Sequence, residues 1–278
     1  MPGARLGTDL WFTEYTSPWD IYAHGITQVL LAKQTKFQQM YIVETGTYGK
    51  ALILDGKWQS STMDEFLYHE PLVHPACIVH GDPRRVLILG GGEGATAREA
   101  LRWKTVEKVL MVDIDGEVVE ACREYLEQMH QGAFDDPRME VLIGDALDYL
   151  AKSEATWDII VSDLSDPIEE GPSWKLFTRE YFEQCKQRLA PGGVFVVQAG
   201  PTAPPEMALH VRLASTVRAV FRNFMHYVSY VPTYGSPWGY VLASERDIPE
   251  DFDPAGVDRL LAEKTKGGMR MIDGRTMR

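Results

Sequence analysis

Basic side chains are scarce in this chain: its 278 residues carry 28 Lys and Arg against 40 Asp and Glu, a formal net charge of -12. Nucleic acids and anionic membranes are gripped mainly through Lys and Arg, so the balance counts against either as a partner. A ligand selected by charge would be cationic, although acidic proteins are also common simply because net charge keeps them soluble. Cysteine is sparse too. Cys77, Cys122 and Cys185 are far apart and fit no metal-ligand spacing, which gives no disulfide framework or zinc site to expect. No apolar run approaches the length of a membrane span, and no segment has the form of a signal peptide. A cytoplasmic protein without bound metal or membrane contact is the expectation. What is plentiful is apolar material, 45% of the chain, enough for one large domain and a small one without covalent staples.

Two textures divide the chain near residue 75. Before it, stretches such as QQMYIVET, KALILDG and WQSSTMDEF are rich in β-branched and aromatic residues and are punctuated by Gly46, Gly49 and Gly56, the pattern of strands linked by hairpins. A small antiparallel β-domain over residues 1–74 is expected, with strand edges that favour self-association. After it, apolar strands alternate with helical patterns: RVLILG, ATAREALRW, KVLMVDID, GEVVEACREYLEQM, MEVLIGDA, WDIIVSD, TREYFEQCKQRL, GVFVVQAG, ALHVRLASTVRAVF, HYVSYVP and WGYVLAS. Such alternation makes an α/β fold, a doubly wound and mostly parallel sheet over residues 75–278 with helices on both faces.

In sheets of this kind the ligand lies beyond the carboxyl ends of the strands, beside the switch point, so the residues after each strand carry the information. The first strand runs into GGGEGATARE, Gly90 to Glu99, whose glycines let backbone approach a ligand and whose helix offers its N-terminus. Gly90, Gly92 and Ala95 match the dinucleotide fingerprint, a weak signal alone. Glu93 inside the loop argues against a pyrophosphate, which it would repel, and for a nucleoside without phosphates. The second strand ends at Asp113, placed to accept from ribose hydroxyls, the third at Asp145, placed for an adenine amino group, and the fourth at Asp163 and Asp166. Taken singly, each acid is equally a turn or helix-cap residue. S-adenosylmethionine is phosphate-free and cationic, but its carboxylate conflicts with Glu93, Asp163 and Asp166; the decarboxylated form removes that conflict and leaves acids for a second cation, a polyamine.

The run GKWQSSTMDEFLYHEPLVHPA, the loop GGGEGATARE, VDID at 112–115, GDA at 144–146 and DLSDP at 163–167, in this order, resemble the spermidine synthase family of polyamine aminopropyltransferases. The resemblance covers nearly the whole chain. DLSDPIEEGP, QAGP at 198–201 and SPWGYVLAS at 236–244 are most similar to the branch containing thermospermine synthases and enzymes acting on agmatine or longer amines. Putrescine enzymes more often have Ser where this chain has Leu164.

The resemblance implies an N-terminal β-domain, a Rossmann-like catalytic domain of the class I methyltransferase type, and homodimers or homotetramers. It also implies decarboxylated S-adenosylmethionine as co-substrate, with no prosthetic group. Carried over by position, Gln38, Gln59, His69, Gly90, Gly92, Glu93, Asp113, Asp145 and Ala146 would bind the nucleoside co-substrate. Asp163 falls on the catalytic acid, helped by Tyr68, while Asp166, Tyr234 and Trp238 fall around the acceptor amine. Glu169 and Glu170 are candidates for distal ammoniums or simply a solvated loop, and the segment 165–177 looks like a lid. Relatives usually continue past the position of Arg278. An ordinary methyltransferase, a nicotinamide oxidoreductase and a non-catalytic polyamine-binding protein are the competing readings.

Overall fold

The computed structural model describes residues 7–17, 19–165 and 172–278; Asp166, Glu169 and Glu170, with residues 166–171 of the expected lid, lie outside the described residues. Five strands open the chain: β1 (Leu10–Ser17), β2 (Asp20–Gln34), β3 (Gln39–Thr45), β4 (Gly49–Leu54) and β5 (Lys57–Ser61). They pair antiparallel in chain order. Asp55 and Gly56, at φ 47° and 72°, make the two-residue turn between β4 and β5, because only a turn with positive φ matches the twist of the strands it joins.

The stretch WQSSTMDEF does not stay extended to its end. β5 stops at Ser61, where the Ser61 hydroxyl donates to Asp64 at 2.5 Å and Glu65 N donates to the Ser61 carbonyl at 2.9 Å. This turn feeds α1 (Phe66–His80), whose residues from Tyr68 to Val79 are all buried. Pro75 has no N–H to give to the carbonyl of Pro71, and the Tyr227 hydroxyl donates to that carbonyl instead, at 2.8 Å.

From here strands and helices alternate: β6 (Arg85–Gly90), α2 (Ala95–Leu101), β7 (Lys108–Asp113), α3 (Gly116–Tyr125), α4 (Glu127–His130), β8 (Met139–Ile143), α5 (Ala146–Lys152), β9 (Trp157–Asp163), α6 (Arg179–Gln187), β10 (Leu189–Pro201), α7 (Ala208–Val220), β11 (Asn223–Val231), β12 (Ser236–Ser244) and α8 (Pro254–Lys264). The seven strands lie in the order β11-β12-β10-β9-β6-β7-β8. β6 to β10 run parallel, and β12 and β11 close one edge antiparallel. Strand side chains alternate between two cores, as a period of two requires. Val86, Ile88, Val109, Met111, Ile159 and Val161 face α1, α2 and α8, whereas Leu87, Leu89, Leu110, Val112 and Ile160 face α5, α6 and α7. A third cluster joins the small sheet to α3 and α4 through Met40, Ile42, Leu52, Leu54, Val118, Cys122 and Met129. The chain winds outward through β7 and β8 on one side of β6 and through β9 and β10 on the other, so the switch point is the β6–β9 seam, where Gly90 and Asp163 are register partners.

Candidate active site

At that seam the two strand ends meet with no room for a side chain. Gly90 has φ 83°, and a Cβ there would lie 2.1 Å from the Asp163 carbonyl oxygen, while Gly91 N donates to the same oxygen at 2.9 Å. A Cβ on Gly92 would lie 2.8 Å from Asp113 Oδ2. The loop thus drapes its backbone over the ends of β7 and β9 and brings Glu93 toward Asp113 and Asp163.

Both oxygens of Asp163 accept from hydroxyls: Tyr68 to Oδ1 at 2.7 Å and Thr96 to Oδ2 at 2.5 Å. Burial raises the Asp163 carboxyl above its ordinary range and nearby Glu93 adds to this, against the opposing pull of His69 and the two hydroxyls. Burial and the neighbouring Asp163 carboxylate also push the Tyr68 phenol well up, so Tyr68 stays a neutral donor. Asp113 is raised to about 6, chiefly by burial and by the neighbouring carboxylates of Asp115 and Asp163, although Asp115 N donates to its Oδ1 at 2.9 Å. Glu93, 8% exposed, has its Oε1 2.6 Å from His69 Nε2 and accepts from the Ser60 hydroxyl at Oε2, 2.7 Å away. Three acids from three strand ends therefore line one crevice, Asp163 sensing Glu93 and Asp113 sensing Asp163, and Asp163, held by two hydroxyls, is placed to take a proton.

The other sequence-derived positions arrange themselves around this centre. Gln38 donates through Nε2 to Asp115 at 3.1 Å, beside Thr35, whose hydroxyl donates to the same Asp115 oxygen at 2.6 Å. Asp115 also caps α3, accepting from Glu117 N and Val118 N, so the small sheet is tied to the helix that follows Asp113. Gln59 gives its carbonyl to the Tyr234 hydroxyl. The Tyr234 ring lies 5.9 Å from Tyr68 and 4.7 Å from Trp238, whose indole donates to Gln198 Oε1 at 3.0 Å. Asp145 is exposed, and one of its oxygens caps α5 by accepting from Leu147 N at 2.7 Å; Ala146 is buried at the first turn of that helix.

Sequence reasoning missed Ser60, Glu65, Thr96, Asp115 and Gln198. All five sit inside quoted stretches, and Ser60 and Thr96 touch Glu93 and Asp163 directly, but a hydroxyl of ordinary type gives no signal until its partner is known. Gln198 donates to the Leu164 carbonyl at 2.8 Å and accepts from Trp238, pinning the end of β9 to the β12 wall. Among the described residues no group of three His, Cys, Asp or Glu is arranged to hold a metal.

Residues 65–252 match the spermine/spermidine synthase domain, and residues 10–70 match the spermidine synthase tetramerisation domain. A polyamine aminopropyltransferase of Synechococcus sp. strain JA-3-3Ab is 55% identical, over 96% of this chain and 88% of its own. A thermospermine synthase of Arabidopsis thaliana is 37% identical over 95% of this chain and 77% of its own. Among solved structures, spermidine synthase from Thermotoga maritima superposes with a TM-score of 0.87 at 32% identity, covering 96% of this chain and 89% of that one. A spermidine synthase in complex with the transition-state analogue AdoDATO gives 0.89 at 32% identity, covering 97% and 90%. With its site at the β6–β9 seam and these likenesses over nearly its whole length, the chain belongs to the spermine/spermidine synthase family.

Proposed function

We propose that this chain transfers the aminopropyl group of decarboxylated S-adenosylmethionine to an amine, releasing methylthioadenosine. The observation that carries the reading is the clamped Asp163 at the seam, held by Tyr68 and Thr96 beside Glu93 and Asp113. The amine lone pair attacks the carbon next to the sulfonium, the C–S bond breaks, and its electrons leave with a neutral thioether that needs no acid. The amine must first lose a proton. With an unperturbed pKa near 10, about one amine in a thousand is neutral at pH 7, a barrier of roughly 4 kcal/mol. Asp163, with its affinity for a proton raised by burial, is the proposed base, and Tyr68 orients it.

In this reading Glu93 faces the cationic end of the co-substrate, Asp113 the ribose and Asp145 with Ala146 the adenine. Gly90 and Gly92 let the loop pass beneath the nucleoside, Gln38 and Gln59 complete that side, and His69 stands behind Glu93. Tyr234 and Trp238, packed at a tilt with ring centroids 4.7 Å apart, form a wall for the acceptor, with Asp166 its proposed anchor. A division at 74/75 would cut α1, whose side chains lie in the core of the second sheet; the boundary between the two units is better placed in the turn 62–65. Assembly as a homodimer or homotetramer through the small sheet, a cytoplasmic location and putrescine, agmatine or spermidine as the acceptor complete the proposal.

The test is methylthioadenosine release from decarboxylated S-adenosylmethionine with putrescine, agmatine or spermidine in separate reactions, products identified by mass. Release with one amine names the acceptor. Methyl transfer from intact S-adenosylmethionine, with no release from the decarboxylated form, would overturn the assignment.

A further inference from the structure

A file of buried charged side chains runs inward from Glu93. Glu93 Oε1 lies 2.6 Å from His69 Nε2, and His69 Nδ1 lies 2.9 Å from Glu65 Oε2 and 2.8 Å from the Glu65 carbonyl. Glu65 is held by both terminal nitrogens of Arg98, at 2.9 and 2.8 Å, and Arg98 Nε donates to Glu99 at 2.6 Å. His69 is 1% exposed, Glu65 5% and Arg98 6%. Every ring nitrogen of His69 therefore faces an oxygen acceptor. A neutral imidazole would point one lone pair at a carboxylate oxygen with no proton between them. His74, further along the file, is different: Trp103 Nε1 donates to its Nδ1 at 3.1 Å, which marks that nitrogen as an acceptor.

We infer that His69 stands as a permanent imidazolium, a positioning residue clamped between Glu65 and Glu93, and that it acts by fixing the Glu93 carboxylate rather than by touching the nucleoside. Both of its N–H groups are spent on carboxylates, and a second cation aimed into the crevice would repel a sulfonium. Its charge instead offsets that of Glu93, which otherwise adds to the crowding of carboxylates around Asp163. Burial alone would push the His69 ring toward neutrality; Glu93 and Glu65 outweigh it and hold the ring well above the ordinary histidine range. The groups facing it are Glu93 from the β6–α2 loop, Glu65 from the turn before α1, Asp163 from β9 and Tyr68 on its own helix, while Arg98 of α2 stands behind Glu65. Glu65 and Arg98 thereby acquire a role in the chemistry without touching substrate.

The inference rests on the proposed reaction only for its kinetic arm. In wild-type protein with 15N-labelled histidine rings, His69, assigned by loss of its signals in His69→Gln, should show both ring nitrogens protonated from about pH 5.5 to about 8.5, across ordinary histidine titration. A lone-pair nitrogen on His69 near neutral pH overturns the inference, whatever reaction the protein catalyses. In Glu65→Gln the ring should lose its proton within the range, and kcat/KM for decarboxylated S-adenosylmethionine should fall as pH rises, where wild type stays flat. Superposable profiles would overturn the role of Glu65. His69→Ala removes the donor that fixes Glu93; the co-substrate KM should rise roughly ten- to hundredfold, the scale of a lost bond to a charged group, with a smaller change in kcat, and His69→Gln, which keeps a donor toward Glu93, should recover part of it. An unchanged KM in His69→Ala would overturn the positioning role.

Discussion

Asp163 and Thr96 are 67 positions apart, and Tyr68 is 95 from Asp163, yet the three make one hydrogen-bonded unit, the proposed base and its two hydroxyl partners. Asp163→Asn should lower kcat by roughly 10²- to 10⁴-fold, the usual yield of a positioned base, while co-substrate binding measured by calorimetry persists. Near-normal turnover in Asp163→Asn together with its loss in Asp166→Asn would transfer the base to Asp166. At Asp113 the folded protein holds the carboxyl near 6, against about 3.9 in an unfolded chain. Between those values the folded state keeps a proton that the unfolded state has released, so stability falls as pH rises through this window. Asp113→Asn, which does not titrate, should therefore make the ligand-free protein roughly 1–3 kcal/mol more stable than wild type at pH 8, with little difference at pH 4. Urea unfolding at the two pH values measures this, and equal differences at both would refute it.

At the scale of elements, α1 is the piece that positions the chemistry. It carries Tyr68 and His69 toward the seam and, at the next residue, the fully buried Glu70 away from it. The Glu70 carboxylate accepts from three successive backbone N–H groups, Arg270 at 2.6 Å, Met271 at 2.8 Å and Ile272 at 3.0 Å. Glu70→Ala strands those donors and should cost at least about 3 kcal/mol of stability, with amide exchange protection lost at residues 270–272 first. Glu70→Gln, which keeps an acceptor, should cost less. The helix was illegible in the sequence because two prolines interrupt it and its apolar residues show no single face. By contrast β6, β7 and β9 were legible, since a parallel strand buried on both sides is a continuous apolar run.

At the scale of the whole molecule, β1 and β2 expose Trp11, Tyr15 and Ile21, Tyr15 and Ile21 being cross-strand partners, on the segment that matches the tetramerisation domain. A large exposed apolar patch marks an interaction surface. Tyr15→Lys with Ile21→Lys should reduce the assembled mass measured by light scattering and leave the far-ultraviolet dichroism intact. An unchanged mass would place the contact elsewhere.

The sequence by itself determined the α/β class, the acids waiting at the strand ends and the expectation of a cationic ligand there, because periodicity and charge are local properties that survive in one dimension. The tertiary structure decided which acid is held by two hydroxyls, since Asp163 owes that to Tyr68 and Thr96 on two other elements. It also decided that His69 lies between two carboxylates. A proton's place depends on burial and on the nearest charge, and both are set only when distant segments pack together.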